Sequence, residues 1–250
     1  MVLALWEAGT RSFDVPLYVL PPPSAVVLAL RRTWTLQVQH LGITAATTLV
    51  GLALALVAGV GLALAAVYVR AIRAVILPAL AAFNGIPKVA IAPLFVIWFG
   101  LGDEPKVLLA FLMGLFPIFV GAAAGLGEIE PDYLDLARLS GGSERRIFWK
   151  VRLMHALPYL TDALKVAFPL ALVGSVVGEF IGGNRGIGYL ILSAQFNLDT
   201  PLVFACLIGI TLLTSAGTGL VVWLENRWLV WRPSRRREGA AAAPSGLSGA

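Results

Sequence analysis

Residues 131–160 read PDYLDLARLSGGSERRIFWKVRLMHALPYL, a charged stretch set between two long apolar runs. It carries Asp132, Asp135, Arg138, Glu144, Arg145, Arg146, Lys150 and Arg152. Its pattern predicts two short helices joined by a glycine corner. Asp132 follows Pro131 and is placed to cap the first helix, with Asp135 as a short-armed capping-box partner. Gly141 and Gly142 supply positive-φ positions that end it. Ser143 is the natural N-cap of the second helix, with Glu144 in its first turn. Ile147, Phe148, Val151 and Met154 form one apolar face by their spacing, and Pro158 is expected to stop or bend this helix. Two readings remain open: an amphipathic hairpin lying on a membrane surface, or a docking element for a soluble partner.

The surrounding chain makes this stretch a loop of a membrane protein. Of 250 residues, 58% are hydrophobic and 13% charged, whereas an ordinary soluble domain is nearer a quarter charged. Several windows reach the length of roughly 20 apolar residues that crosses a bilayer as a helix. Strand-type alternation, which a membrane β-barrel requires, is absent from the pattern. The expected fold is therefore all-α, a polytopic transmembrane helical bundle. The net charge of +5 comes from Lys and Arg beside apolar runs, which points to membrane orientation and not to nucleic acid.

Five spans are expected: within 41–69, within 74–100 after a bend at Asn84–Lys88, then 107–126, 163–181 and 202–224. Gly51, Gly59, Gly61 and the pairs Gly121/Gly125 and Gly174/Gly178 predict close helix contacts. Residues 182–200 form a glycine-rich surface or partly re-entrant loop. Near the start, residues 14–23 (DVPLYVLPPP) are extended, and Ser24 is placed to cap a short amphipathic helix ending at Arg31 and Arg32. The basic and apolar segments divide the chain into 1–40, a membrane domain 41–226, and a basic tail 227–250 that composition predicts to be disordered. If the spans alternate, Arg70, Arg73, the 131–160 loop and the C-terminal tail are cytoplasmic. Asp162 and Lys165 then sit at the cytoplasmic edge, free to snorkel.

Little chemistry lies in the spans. No phosphate-binding Gly-x-x-x-x-Gly-Lys-Ser/Thr loop occurs, so ATP is not expected to bind here. Cys206 is a lone core cysteine, and His40 and His155 lack metal-ligand spacing. No metal, cofactor or catalytic set is expected. Glu179 is the one acid within 163–181. A charge at the bilayer centre costs roughly 2.5–3.5 kcal/mol, so Glu179 reads either as a structural group at the outer interface or as part of a translocation path. Ser175, Asn184 and Arg185 are polar groups near it.

Several motifs carry a family resemblance. The run 134–141 (LDLARLSG), followed by Ile147-Phe-Trp-Lys-Val and Ala156-Leu-Pro158, resembles the "EAA" loop of ABC importer permeases. Residues 178–190 (GEFIGGNRGIGYL), 20–26 (LPPPSAV) and 86–100 (IPKVAIAPLFVIWFG) are similar to the nitrate/sulfonate/taurine branch. The loop departs from the pattern at Asp135, where Glu is usual, and at Leu136, which replaces the first Ala.

The resemblance implies a type I importer permease of the bacterial inner membrane, multi-pass, with its C-terminus cytoplasmic. It implies a separate cytoplasmic ATPase subunit docked on this loop, an extracytoplasmic substrate-binding protein, and a second permease copy, expected as a homodimer. Asp135, Ala137, Arg138, Gly141, Ser143 and Phe148 become the coupling-loop residues, and Ser175 and Glu179 the candidates for the path. The substrate class implied is a small anion or vitamin precursor. Family members have a full span before the Leu-Pro-Pro segment, so residues 1–7 are expected to be the remnant of one. A stand-alone secondary transporter and a membrane-embedded enzyme are the competing classes. The first needs broken half-helices around an ion site. The second needs paired catalytic groups at membrane depth.

Overall fold

Apolar runs with small residues at their contacts become long helices, and their packing sets the architecture. The structure, a computed structural model, describes residues 1–229. Among these the regular elements are helical. Helix α1 spans Val2–Ser12, α2 Pro23–Arg32, α3 Trp34–Tyr68, α4 Arg70–Gly85, α5 Lys88–Phe99 and α6 Glu104–Gly127. The 131–160 region holds α7 (Pro131–Leu139), α8 (Glu144–Ile147) and a wide π turn over Phe148–Arg152. Then follow α9 (Leu153–Gly182), α10 (Ile187–Phe196) and α11 (Thr200–Trp228).

Four helical stretches are long and apolar enough to cross a membrane, and a bent pair makes a fifth candidate. That pair, α4 and α5, meets at 91°. The bend falls at Ile86-Pro87, where proline cannot continue the helix and holds the preceding residue extended. The expected kink is thus a full break.

Helix α6 lies between α3 and α9 and packs most extensively with both. Glycine explains how closely. A Cβ at Gly174 would lie 2.6 Å from the Leu109 carbonyl oxygen, and one at Gly178 2.7 Å from the Lys106 Cα. At Gly125 it would meet the Ala156 Cα at 2.7 Å, and at Gly51 the Val107 carbonyl oxygen at 2.7 Å. Gly59 similarly faces Ile118 at 2.9 Å, but Gly61 faces open space. Backbones that approach this far gain dispersion contacts, a main driving force for helix association in lipid. Leu52, Ala55, Ala110, Ile118, Ala167, Phe168 and Ala171 form the core between these three helices.

Several boundaries differ from expectation. Helix α3 begins at Trp34 because Gln37 and His40 find partners inside the protein: Gln37 donates to the Thr33 hydroxyl at 2.7 Å, and His40 meets Gly186. Pro158 does not end a helix. Helix α9 passes through both Pro158 and Pro169, held along α6 by contacts such as Ala156 with Gly125. The 182–200 loop contains α10, whose Ile187, Leu190, Ile191 and Ala194 are buried in the main core. Lys165 pairs with Asp162 at 2.9 Å and with Glu225 of α11.

In the N-terminal region α1 runs past Glu7 to Ser12 and leans on α11 through Trp6 and Phe204, ring centroids 5.7 Å apart. Ser24 does not cap α2. Its N–H and hydroxyl both donate to the Glu7 carboxylate, at 3.0 and 2.7 Å. The expected basic tail lies outside the described residues from position 230 onward.

Helix α11 has a side-chain cap: Asp199 accepts the Leu202 N–H at 3.1 Å. Replacing Asp199 with Ala should cost about 1 kcal/mol, read as a lower thermal midpoint of the purified protein. An unchanged midpoint would show that the cap adds nothing.

Candidate functional site

The 131–160 loop is built from its corner outward. Gly141 adopts φ +77°, a conformation that favours glycine. Its N–H donates to the Arg138 carbonyl at 2.9 Å, and the Gly142 N–H to the Ala137 carbonyl at 3.0 Å. These bonds satisfy carbonyls at the end of α7. Gly142 does not have positive φ, contrary to expectation. It is needed for space, because a Cβ there would lie 2.6 Å from the Ala137 oxygen.

The expected caps are present in position only. Helix α7 starts at Pro131 after Glu130 and has no side-chain cap, so Asp132 and Asp135 make no capping box. Proline at the first position lacks an N–H to satisfy. Ser143 does occupy the N-cap of α8, but its hydroxyl makes no capping bond.

Arg138 braces the corner instead. Its guanidinium donates to Asp135 one turn back at 3.2 Å and to Glu144 across the corner at 3.1 Å. All three side chains are at least half exposed, where such pairs are worth under about 1 kcal/mol each. The pairing therefore orients the two helices more than it stabilises them.

The candidate residues divide by direction. Asp135, Arg138, Gly141 and Ser143 are exposed, Ala137 is half-buried beneath the corner, and Phe148 turns into the bundle beside Phe119, Ala122 and Leu126. Ile147 is buried. The expected face breaks at the π turn: its wider winding shifts the register, leaving Met154 exposed. Below the turn, Arg152 donates to the Leu126 carbonyl at 3.0 Å and stacks over Tyr68. His155 Nδ1 meets the Gly125 carbonyl at 2.7 Å. The foot of the loop is thus fastened to the ends of α3 and α6.

The sequence pattern missed the residues facing outward. Tyr133 and Leu136 are each 62% exposed and Leu139 is 87% exposed. They recur every third residue along α7 and form an apolar stripe, and exposed Trp149 lies just beyond α8. The spacing of 133, 136 and 139 was a usable signal. Leu136, which stands where the family pattern has its first Ala, is part of this exposed stripe.

A second polar constellation occupies the opposite end of the bundle. Glu179 is fully buried; its Oε1 accepts the Thr44 hydroxyl and its Oε2 the Gly188 N–H, both at 2.7 Å. One turn away, the hydroxyls of Ser175 and Thr47 share a bond of 2.7 Å. The structure brings Glu179 and Ser175 together along the seam of α3 and α9, with their polar atoms engaged. The Ile187 N–H donates to the Thr44 hydroxyl at 2.9 Å. His40 Nδ1 lies 3.0 Å from the Gly186 nitrogen and 2.9 Å from its oxygen, so either neutral tautomer bonds the same residue. Lys106, also fully buried, donates to Asp103 at 2.8 Å and to the Arg185 carbonyl at 3.1 Å. Arg185 closes the ring with a bond to Asp103 at 2.5 Å. The Asn184 side chain is exposed.

Asp103 stands in the turn before α6. Partial burial alone would raise its carboxyl pKa, but hydrogen bonds and charge from Lys106 and Arg185 outweigh this and hold it below the ordinary value. A group depressed in the folded state contributes stability in full above its unfolded pKa and loses it as pH falls through the folded one. The thermal midpoint should therefore fall as pH drops below about 4. Asp103→Asn should flatten that component, and an identical acid profile in the variant would contradict the assignment.

The chain was compared with known proteins. A profile described as "Binding-protein-dependent transport system inner membrane component" matches residues 51–230. The formylaminopyrimidine transport permease protein ThiX of Halalkalibacterium halodurans is 34% identical over 93% of each chain. The riboflavin transport system permease protein RibX of Chloroflexus aurantiacus is 34% identical over 94% of this chain and 88% of its own. The putative aliphatic sulfonates transport permease protein SsuC of Escherichia coli is 30% identical over 93% and 89%. Among solved structures, a chain of the inward-facing MetNI methionine ABC transporter superposes with a TM-score of 0.57. The match has 21% identity and covers 76% of this chain and 96% of that one.

Proposed function

The chain belongs to the inner-membrane components of binding-protein-dependent transport systems, and from that premise we propose that its 131–160 loop docks the ATPase subunit and passes its movement to the spans. As a permease subunit of an ABC importer it is not itself an enzyme; ATP hydrolysis belongs to a separate subunit. Family membership thereby sets aside the secondary transporter and the membrane-embedded enzyme.

The observation that carries the docking reading is the exposed stripe Tyr133, Leu136 and Leu139 on a helix whose angle is fixed at Gly141. Apolar residues aligned on an ordered surface helix mark a contact site. Asp135, Ala137, Arg138, Gly141 and Ser143 set the geometry, Phe148 anchors the loop, and Leu136 and Leu139 make the contact. The loop and the C-terminus are then cytoplasmic, with Asn184 and Arg185 on the outer face. A second copy of this chain and an extracytoplasmic binding protein complete the transporter. The cargo is a small organic anion or vitamin precursor, as the names of the relatives indicate for those proteins. For Ser175 and Glu179, full burial with a partner on each side-chain oxygen favours a structural role at the outer end over lining of the path.

Leu136→Asp combined with Leu139→Asp should abolish co-purification of the ATPase subunit while leaving membrane insertion and thermal stability of the permease intact. Each lost apolar contact is worth about 1.5–3 kcal/mol when fully buried, so the pair should lower binding by more than about tenfold. Undiminished co-purification would refute docking through this stripe.

A further inference from the structure

The segment joining α9 to α10, residues 183–186, together with the first residues of α10 contains Gly183, Gly186 and Gly188 and would be mobile if left to itself. Instead, four successive residues are bonded by side chains from three helices. The Arg185 carbonyl is held by Lys106 of α6, Gly186 by His40 of α3, Ile187 by Thr44 of α3, and Gly188 by Glu179 of α9. Lys106 and Glu179 are both fully buried, and removing either leaves donors or acceptors without water to replace the lost partner. The glycines make the fit possible. A Cβ on Gly186, which has φ +113°, would overlap the Glu179 carboxyl, and one on Gly188 would lie 3.0 Å from the Glu179 Cβ. A translocation-path role would leave the carboxylate open to cargo, whereas here each oxygen already has a donor.

We propose that Lys106 and Glu179 are positioning residues of the transport cycle. They fasten the 183–188 segment, and α10 behind it, to α3, α6 and α9, so that this end of the subunit moves as one rigid body. The fastening follows from geometry alone; its part in transport rests on the permease reading above.

The test uses the full chain in nanodiscs, with Cys206→Ala as background and Ala194→Cys on the buried face of α10 as reporter. In this parent the thiol should react slowly with maleimide. Glu179→Gln keeps an acceptor for Thr44 but turns an amide toward the Gly188 N–H, so labelling should accelerate about tenfold. Lys106→Met should do the same. Labelling rates equal to the parent in both variants would overturn the fastening.

A second arm assembles the transporter with its ATPase and binding protein. Glu179→Gln should lose stimulation of ATP hydrolysis by the binding protein. Adding Asp103→Cys and Arg185→Cys, bridged by a short bismaleimide that leaves stimulation intact when Glu179 is present, should restore it, which neither a cargo-contacting role nor general misfolding would allow. Verified bridging without recovery would overturn the positioning role. If the unmodified assembly shows no stimulation, it is the permease reading that fails, and the labelling arm still decides the fastening.

Discussion

Gly141→Val is expected to remove ATPase docking while sparing the fold. At φ +77° a β-branched side chain is held in a region that L residues other than Asn and Asp seldom visit. The added Cβ meets nothing within 4 Å, so the whole effect is backbone strain confined to the corner. That strain is worth about 2 kcal/mol. The loop can relieve it locally by letting α7 swing away from α8, because the Arg138–Glu144 contact that opposes the swing is exposed and weak. Docking needs the native angle, so affinity for the ATPase should fall roughly thirtyfold. Gly141→Asn, which tolerates left-handed backbone, should keep most of it. Co-purification measured beside thermal stability separates the outcomes. Normal docking in the Val variant, or equal losses in Val and Asn, would show that the corner's conformation is not what the partner reads.

Gly174→Val should act on the fold itself. Its Cβ would stand 2.6 Å from the Leu109 oxygen, 2.8 Å from the Leu109 carbon and 2.9 Å from the Ala110 nitrogen. All three are backbone atoms of α6, so no rotamer change makes room. Helices α6 and α9 must separate locally, and Gly178, one turn on, loses its contact with Lys106 as well. Overpacking at such a site costs about 3 kcal/mol or more. A drop in thermal midpoint and in folded yield from the membrane should be plain. Gly61→Val, where no atom lies within 4 Å, is the matched control and should change stability by under about 0.5 kcal/mol. Equal melting of the two variants would mean that α6 and α9 do not pack as described.

How much of this was legible beforehand depended on whether the signal was local. The apolar runs around α3, α6, α9 and α11 announced spans because length and composition suffice for that. The Gly141 corner was readable because a turn of this type names its residue. Of the two outcomes expected at Pro158, a stop does not occur, because a proline marks termination only locally and packing on α6 carries α9 past it. The π turn at Phe148–Arg152 has no compositional mark, so the apolar face extrapolated through it to Met154 failed. Glu179 was noticed as an acid in a span, yet its donors Thr44 and Gly188 come from residues 135 and 9 positions away. No periodicity connects such distant partners. The Lys106 bond to the Arg185 carbonyl was invisible for the same reason.

Helix α8, the π turn and α9 follow one another without an intervening loop over Glu144–Gly182, 39 residues, about 58 Å at 1.5 Å per residue. One end adjoins the Gly141 corner and the other carries Glu179. Tilting a rod of that length by about 5° about one end displaces the other by about 5 Å, roughly the width of a small solute. If the loop docks the ATPase as proposed, angular motion at one surface would become linear travel at the other through the stiffness of this stretch, and the π turn, Pro158 and Pro169 are the places where it would yield.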